Sequence, residues 1–238
     1  MEGRERELQA TAYERRDARP RVVSGLVLVV GVAVGGVARP GLARARRAPK
    51  TSLTFTVRVY NHVRLAPAVL SSAEQETDSI FRSAGLEIVW IDCPVSGELE
   101  DAYPGCQAGL GPADFMMKIL SPEMAAQASS SQTRLAYAIG DCLPDLLGCW
   151  AAASYGKVQN LALRADISPA LILGKVMAHE LAHLLLGPEH SDTGIMRAEL
   201  ENGDFGPGRL PSLVFLVAQR ERLRAAVMAV RATASTAR

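Results

Sequence analysis

The run His179-Glu180-Leu181-Ala182-His183-Leu184-Leu185-Leu186-Gly187-Pro188-Glu189-His190 holds three of the four histidines in a chain of 238 residues. Histidines four apart share one face of a helix, so both imidazoles can reach one metal ion, with the glutamate placed beside it. A third histidine follows just past a glycine, and Gly194-Ile195-Met196 comes soon after. Two histidines and a glutamate inside so apolar a stretch are costly to bury without a partner. That cost weighs against reading them as ordinary packing residues.

The helix that carries the run can be bounded. Ser168-Pro169 supplies an N-cap residue followed by proline at the first helical position. From Ala170 to Leu186 the one breaker is Gly174, and Gly187-Pro188 is a strong stop. His179 and His183 therefore fall in the second half of the helix, and the chain reverses just beyond them, which lets His190 return toward the same ion. A helix apolar nearly all round is a buried central element.

These residues resemble the metzincin group of zinc-dependent metallopeptidases, whose pattern is H-E-x-x-H-x-x-G-x-x-H followed by a methionine in a tight turn beneath the metal. The resemblance implies His179, His183 and His190 as zinc ligands, Glu180 as general base, Gly187 as the turn glycine and Met196 as the turn methionine. Two departures stand out. Three residues, not two, separate His183 from Gly187, so the strict third-ligand position holds Glu189; this reads as one residue added at the helix end. Met196 also follows the third histidine by only six residues.

Other third ligands stay open: Glu189, the downstream carboxylates Glu199 and Glu201, and more weakly Asp192 and Asp204. Catalytic zinc takes three protein ligands and keeps one position for water, and three histidines or two with a carboxylate both occur. With zinc bound, water near neutrality becomes a nucleophile and a substrate carbonyl is polarised. Glu180 would move the water's proton to the leaving amine. Tyr137 and Tyr155 are candidate oxyanion donors, though each reads better as a strand residue.

The fold class expected is α/β (α+β), zincin-like: a small mixed twisted sheet packed on the central active-site helix, with a C-terminal helix after the methionine turn. Strands are predicted at Leu53–Val59, Leu86–Ile91, Ala113–Leu120, Leu135–Ile139 and Ala151–Val158, with Thr54, Thr56 and Arg58 on one face of the first. A polar-faced helix is predicted over Ala66–Ala84, ending at Gly85. In the metzincin group the strand before the last pairs with extended peptide, which here would be Leu135–Ile139. Residues 201–211 read as loop. A closing helix is expected over Pro211–Arg231, with Leu213, Leu216, Val217, Leu223 and Val227 on its apolar face and Arg220, Arg222 and Arg224 on a solvated one.

Residues 1–21 are charged, mixed in sign and poor in core formers, and read as a disordered tail. Residues 22–38 form an uncharged apolar run, a signal peptide or an N-terminal membrane anchor. Basic residues flank it on both sides, so charge gives no orientation. Residues 39–50 are a basic linker, and residues 51–238 suffice for one domain with its own core. Four cysteines, Cys93, Cys106, Cys142 and Cys149, all follow the apolar run. That favours two disulfides and an exported location, secreted, periplasmic or anchored with the domain outside the cytoplasm. Of three connectivities, Cys93–Cys106 with Cys142–Cys149 is the simplest.

A formal net charge of +1 gives no support to nucleic-acid binding. The expected protein is a monomeric zinc metalloendopeptidase acting on peptide or protein. The rival reading is a non-catalytic, zinc-stabilised binding domain on the same scaffold.

Overall fold

The computed structural model describes residues 53–95, 103–128, 135–139, 149–206 and 208–236. The readings of residues 1–21, 22–38 and 39–50, and of Cys142, lie outside them. The first strand, β1 (Leu53–Asn61), turns Phe55, Val57 and Val59 inward, as its alternation predicts. Helix α1 (Pro67–Ser83) covers them with Leu70, Ala73, Thr77, Ile80 and Phe81. It ends at Ala84, and Gly85, with φ +78°, takes the chain into β2 (Leu86–Cys93).

A short helix, α2 (Pro104–Gln107), precedes β3 (Asp114–Leu120) and α3 (Pro122–Ala128). Then come β4 (Ala136–Ile139), β5 (Trp150–Ser154), α4 (Tyr155–Ala165), α5 (Pro169–Leu186) and α6 (Val217–Thr236). The five strands order as β2-β1-β3-β5-β4. All neighbours pair in parallel except β4, which runs antiparallel to β5 along one edge. The mixed sheet, the central helix and the helix after the turn are thus all present.

Three edge-to-face contacts tie the layers together: Phe55 on Phe81 at 5.2 Å, Phe55 on Phe115 at 5.7 Å and Phe81 on Phe215 at 5.1 Å. Helix α5 lies in this core with 14 of its 18 residues buried. Ser168 stands at its N-cap, but the side chain makes no capping bond; Pro169 supplies the start.

Four expectations need correction. Residues Ala151–Val158 are not one strand: β5 stops at Ser154, and Tyr155 opens α4. Val158, Leu161 and Ala162 are buried at helical spacing, so packing of one face decides the element. The closing helix starts at Val217, not Pro211, because Leu210–Ser212 form a 3-10 turn and the next residues are recruited elsewhere. There Val214 accepts a hydrogen bond from Ile195 N at 3.0 Å while Phe215 is buried in the aromatic cluster.

Leu216 and Val217 are therefore exposed, and the buried face of α6 is carried by Leu223, Val227 and Val230. Nor do the three arginines form a merely solvated face. Arg220 donates to the Phe215 carbonyl, Arg224 to the Ala84 carbonyl and Arg222 to the Leu186 carbonyl. Helix α6 is bolted to the body of the domain by these bonds.

Arg58 shares its strand face with Thr54 and Thr56 but is far more enclosed. Its guanidinium is buried, donating to the carbonyls of Cys106, Ala108 and Gly109 and pairing with Asp114. A Cys93–Cys106 disulfide ties the same loop to the end of β2. The pairing expected for Cys149 reaches Cys142, outside the described residues.

Candidate metal centre and cleft

Helix α5 sets His179 and His183 one turn apart, with their Nε2 atoms 2.9 Å from each other. The helix then runs one residue longer than the strict spacing allows. Gly187 N still donates to His183 O at 2.9 Å, and only then does Gly187, at φ 86° and ψ −171°, leave the helix. That backbone region is essentially reserved for glycine. The added residue lengthens the helix without taking His190 away. The ring of His190 lies 5.5 Å from that of His179 and 4.7 Å from that of His183. One ligand atom from each of the three falls within 4.8 Å of the others, the one such cluster among the described residues.

Two backbone carbonyls fix the tautomers. His179 Nδ1 lies 2.8 Å from Ile195 O, and His183 Nδ1 lies 2.8 Å from Gly187 O. A carbonyl only accepts, so both Nδ1 atoms carry the proton and both Nε2 atoms present lone pairs. Two lone pairs facing at 2.9 Å repel unless a cation stands between them. Zn–N bonds of about 2.0–2.1 Å in a tetrahedron would set such nitrogens ~3.3 Å apart. The donor set, the orienting carbonyls and the spacing therefore fit a zinc ion.

The turn after His190 supplies one of those carbonyls. Ser191 N donates to Met196 O at 2.8 Å, Gly194 has φ +77°, and both Ile195 and Met196 are fully buried. A Cβ on Gly194 would stand 2.7 Å from Val214 O, so only glycine lets the two segments meet here. Met196 lies in that buried turn.

The competing ligands are elsewhere. Glu189 pairs with Arg222 at 2.9 Å. Asp204 is buried against Arg197 and accepts from Glu201 N at 2.9 Å. Glu199 and Glu201 are exposed on the cleft wall, and Asp192 is exposed outside the cluster.

The histidines open into a cleft of about 1220 Å³. Its floor includes Glu180, which is buried, and one rim is β4. The unexpected helix α4 also lines it, through Lys157, Asn160 and Arg164, as does Arg197. Sequence reasoning misses these residues by taking the start of α4 for strand; Lys157, Asn160, Leu161 and Arg164 follow helical spacing and are legible as one face. Tyr137 lies on β4 with its ring against Trp150 and its hydroxyl buried without a hydrogen-bond partner. Tyr155 is helical and does not line the cleft.

Burial holds His179 well below its usual value, down to about 4, with His183 and His190 adding to the shift and the Ile195 carbonyl opposing it. Burial also lowers His183, with His190 adding to it against the Gly187 carbonyl. In the unfolded chain His179 takes a proton near pH 6.5, whereas in the fold it stays neutral to about 4. The share of metal-free stability that depends on a neutral His179 is thus fully present above pH 6.5 and is lost as pH falls toward 4. The loss from His179 alone is on the order of 3 kcal/mol. Denaturation midpoints of chelator-treated protein across that range check this, and His179→Asn should flatten the profile. A flat wild-type profile would contradict it.

No family model matches the chain, and no curated protein matches it. Among solved structures it is similar to the archaemetzincin of Methanopyrus kandleri, at 14% identity over 76% of this chain and 99% of that one, with a TM-score of 0.47.

Proposed function

We propose that the chain is a zinc-dependent metallopeptidase. One observation carries the reading: three imidazoles converge on one point, two of them held by backbone carbonyls with their lone pairs inward, beside a buried glutamate in an open cleft. His179, His183 and His190 would hold the ion, which supplies a lowered water pKa and a polarised carbonyl.

Glu180 takes a proton from the attacking water and gives it to the leaving amine. The antiparallel edge strand β4 lies along the cleft, so an extended peptide can add to it as a further strand. Met196, which is fully buried, would form an apolar floor under the histidines. Glu180 at the cleft floor favours catalysis over a zinc-stabilised binding domain, which needs no base there.

The Cys93–Cys106 disulfide supports an oxidising compartment. Export or anchoring through residues 22–38 belongs to the same proposal, as does action as a monomer on peptide or protein.

Metal analysis of the purified chain is the test. One zinc per chain is expected in the wild type and close to none after His179→Ala. A folded wild type that takes up no zinc at micromolar concentration would defeat the proposal.

A further inference from the structure

Glu189 occupies the position that the strict metzincin spacing gives to its third ligand, one residue before His190. A carboxylate is a competent zinc donor. The chain therefore carries two rival third donors side by side, and something must choose between them. Their rivalry exists only with a metal bound, so it rests on the zinc reading of the site.

Arg222 of α6 stands on the rival. Its Nη1 lies 2.9 Å from Glu189 Oε2, and its Nη2 donates to Leu186 O at 2.9 Å. One planar guanidinium thus ties the last carbonyl of α5 to the side chain of Glu189, and it is the cation's pull on the carboxylate that holds Glu189 aside. One turn earlier on α6, Gln219 Nε2 donates to Ser191 Oγ at 3.0 Å, while its Oε1 accepts from Leu216 N at 2.9 Å. The residues on both sides of His190 are accordingly held by α6. His190, between them, lies with its ring beside His179 and His183.

We propose that Arg222 is a positioning residue that selects the third ligand: it keeps the Glu189 carboxylate off the ion and leaves the place to His190. The side chains of Arg222 and Glu189 are 52% and 71% exposed, so their ion pair contributes little to stability. Its effect is on which donor faces the ion, and it is read in the metal rather than in the melting temperature.

Cobalt(II) titrated into the full-length chain reports both affinity and donor set through its visible absorption. Arg222→Ala is expected to bind cobalt about tenfold more weakly and with an altered spectrum, as Glu189 enters the shell. Arg222→Lys, which still attracts Glu189, should restore the wild-type spectrum. So should Arg222→Ala combined with Glu189→Gln, because the amide does not compete.

An unchanged spectrum in Arg222→Ala overturns the proposal, as does an altered one that survives Glu189→Gln. Should Arg222→Ala not fold, His190→Ala decides the matter. With Arg222 intact it should bind weakly and show no carboxylate in the shell. Tight binding that Glu189→Gln abolishes would show that Arg222 restrains nothing. A wild type that binds no cobalt sinks the zinc reading itself, a result distinct from all of these.

Discussion

Replacing Glu180 by glutamine is expected to lower kcat roughly 10²–10⁴-fold, the range for loss of a positioned general base, while zinc content stays at the wild-type level. The substitution keeps size and shape at a position that is only 6% exposed, so the helix around it has no reason to shift. What changes is basicity: an amide cannot take a proton from water and hand it on. His179 and His183 keep their carbonyl partners, and the loop that holds His190 is untouched. Cleavage of a peptide mixture, followed by mass spectrometry beside metal analysis, separates the two effects. Equal loss of zinc and activity would mean that Glu180 supports the site structurally. Full activity with full zinc would remove it from the mechanism.

The largest effect on stability is expected at Gly174, where alanine should destabilise the fold by about 1–3 kcal/mol, the usual range for overpacking. Helix propensity alone argues the other way, since alanine is favoured over glycine by about 1 kcal/mol in a helix interior. Sterics decide it. A Cβ at 174 would stand 2.5 Å from the Ala73 carbonyl oxygen and 2.6 Å from Glu76 Cβ, and backbone cannot swing aside as a side-chain end can.

The same close approach lets Thr77 Oγ1 donate to Gly174 O at 2.9 Å and brings Lys175 Nζ to 2.8 Å from Glu76. Prising α1 from α5 would loosen both bonds and leave a buried lysine with a weaker partner. Urea midpoints of wild type and variant measure the outcome. A variant as stable as the wild type would show that the two helices slide apart freely. Because the histidines ride on α5, weaker zinc binding should accompany the loss.

The central helix and its histidines are legible in the sequence because every level agrees there. Proline at the start, glycine at the stop, a largely apolar body and polar residues four apart each point to the same element. The third histidine is legible only with an alternative beside it. Spacing offers both Glu189 and His190, and the choice rests on the length of α5 and on Arg222, more than thirty residues away in the chain.

Helix α4 escapes for a different reason. Ala151 to Ser154 is β-strand by position rather than by composition, and Tyr155 and Val158 extend that impression past the point where the chain turns into a helix. Pro211 misleads through a valid local rule. It does open a turn, but the backbone that follows is claimed by Ile195 and the aromatic cluster before α6 can begin. Arg58 shows the same limit: strand alternation gives its direction, and only the loop folded over it makes that direction an interior one.

Helix α6 comes after every residue of the candidate site in the order of the chain, yet its Gln219 and Arg222 brace the loop that carries His190. Vectorial synthesis therefore delivers the donors and the base first and their brace afterwards. A nascent chain that has emerged as far as Met196 possesses all four reactive side chains without the support that sets the last of them. The loop that carries His190 gains these two contacts only when Val217–Thr236 has folded back, so the third donor is the last to be set. Clipping within that helix would likewise remove the brace while leaving the sequence of the candidate site whole.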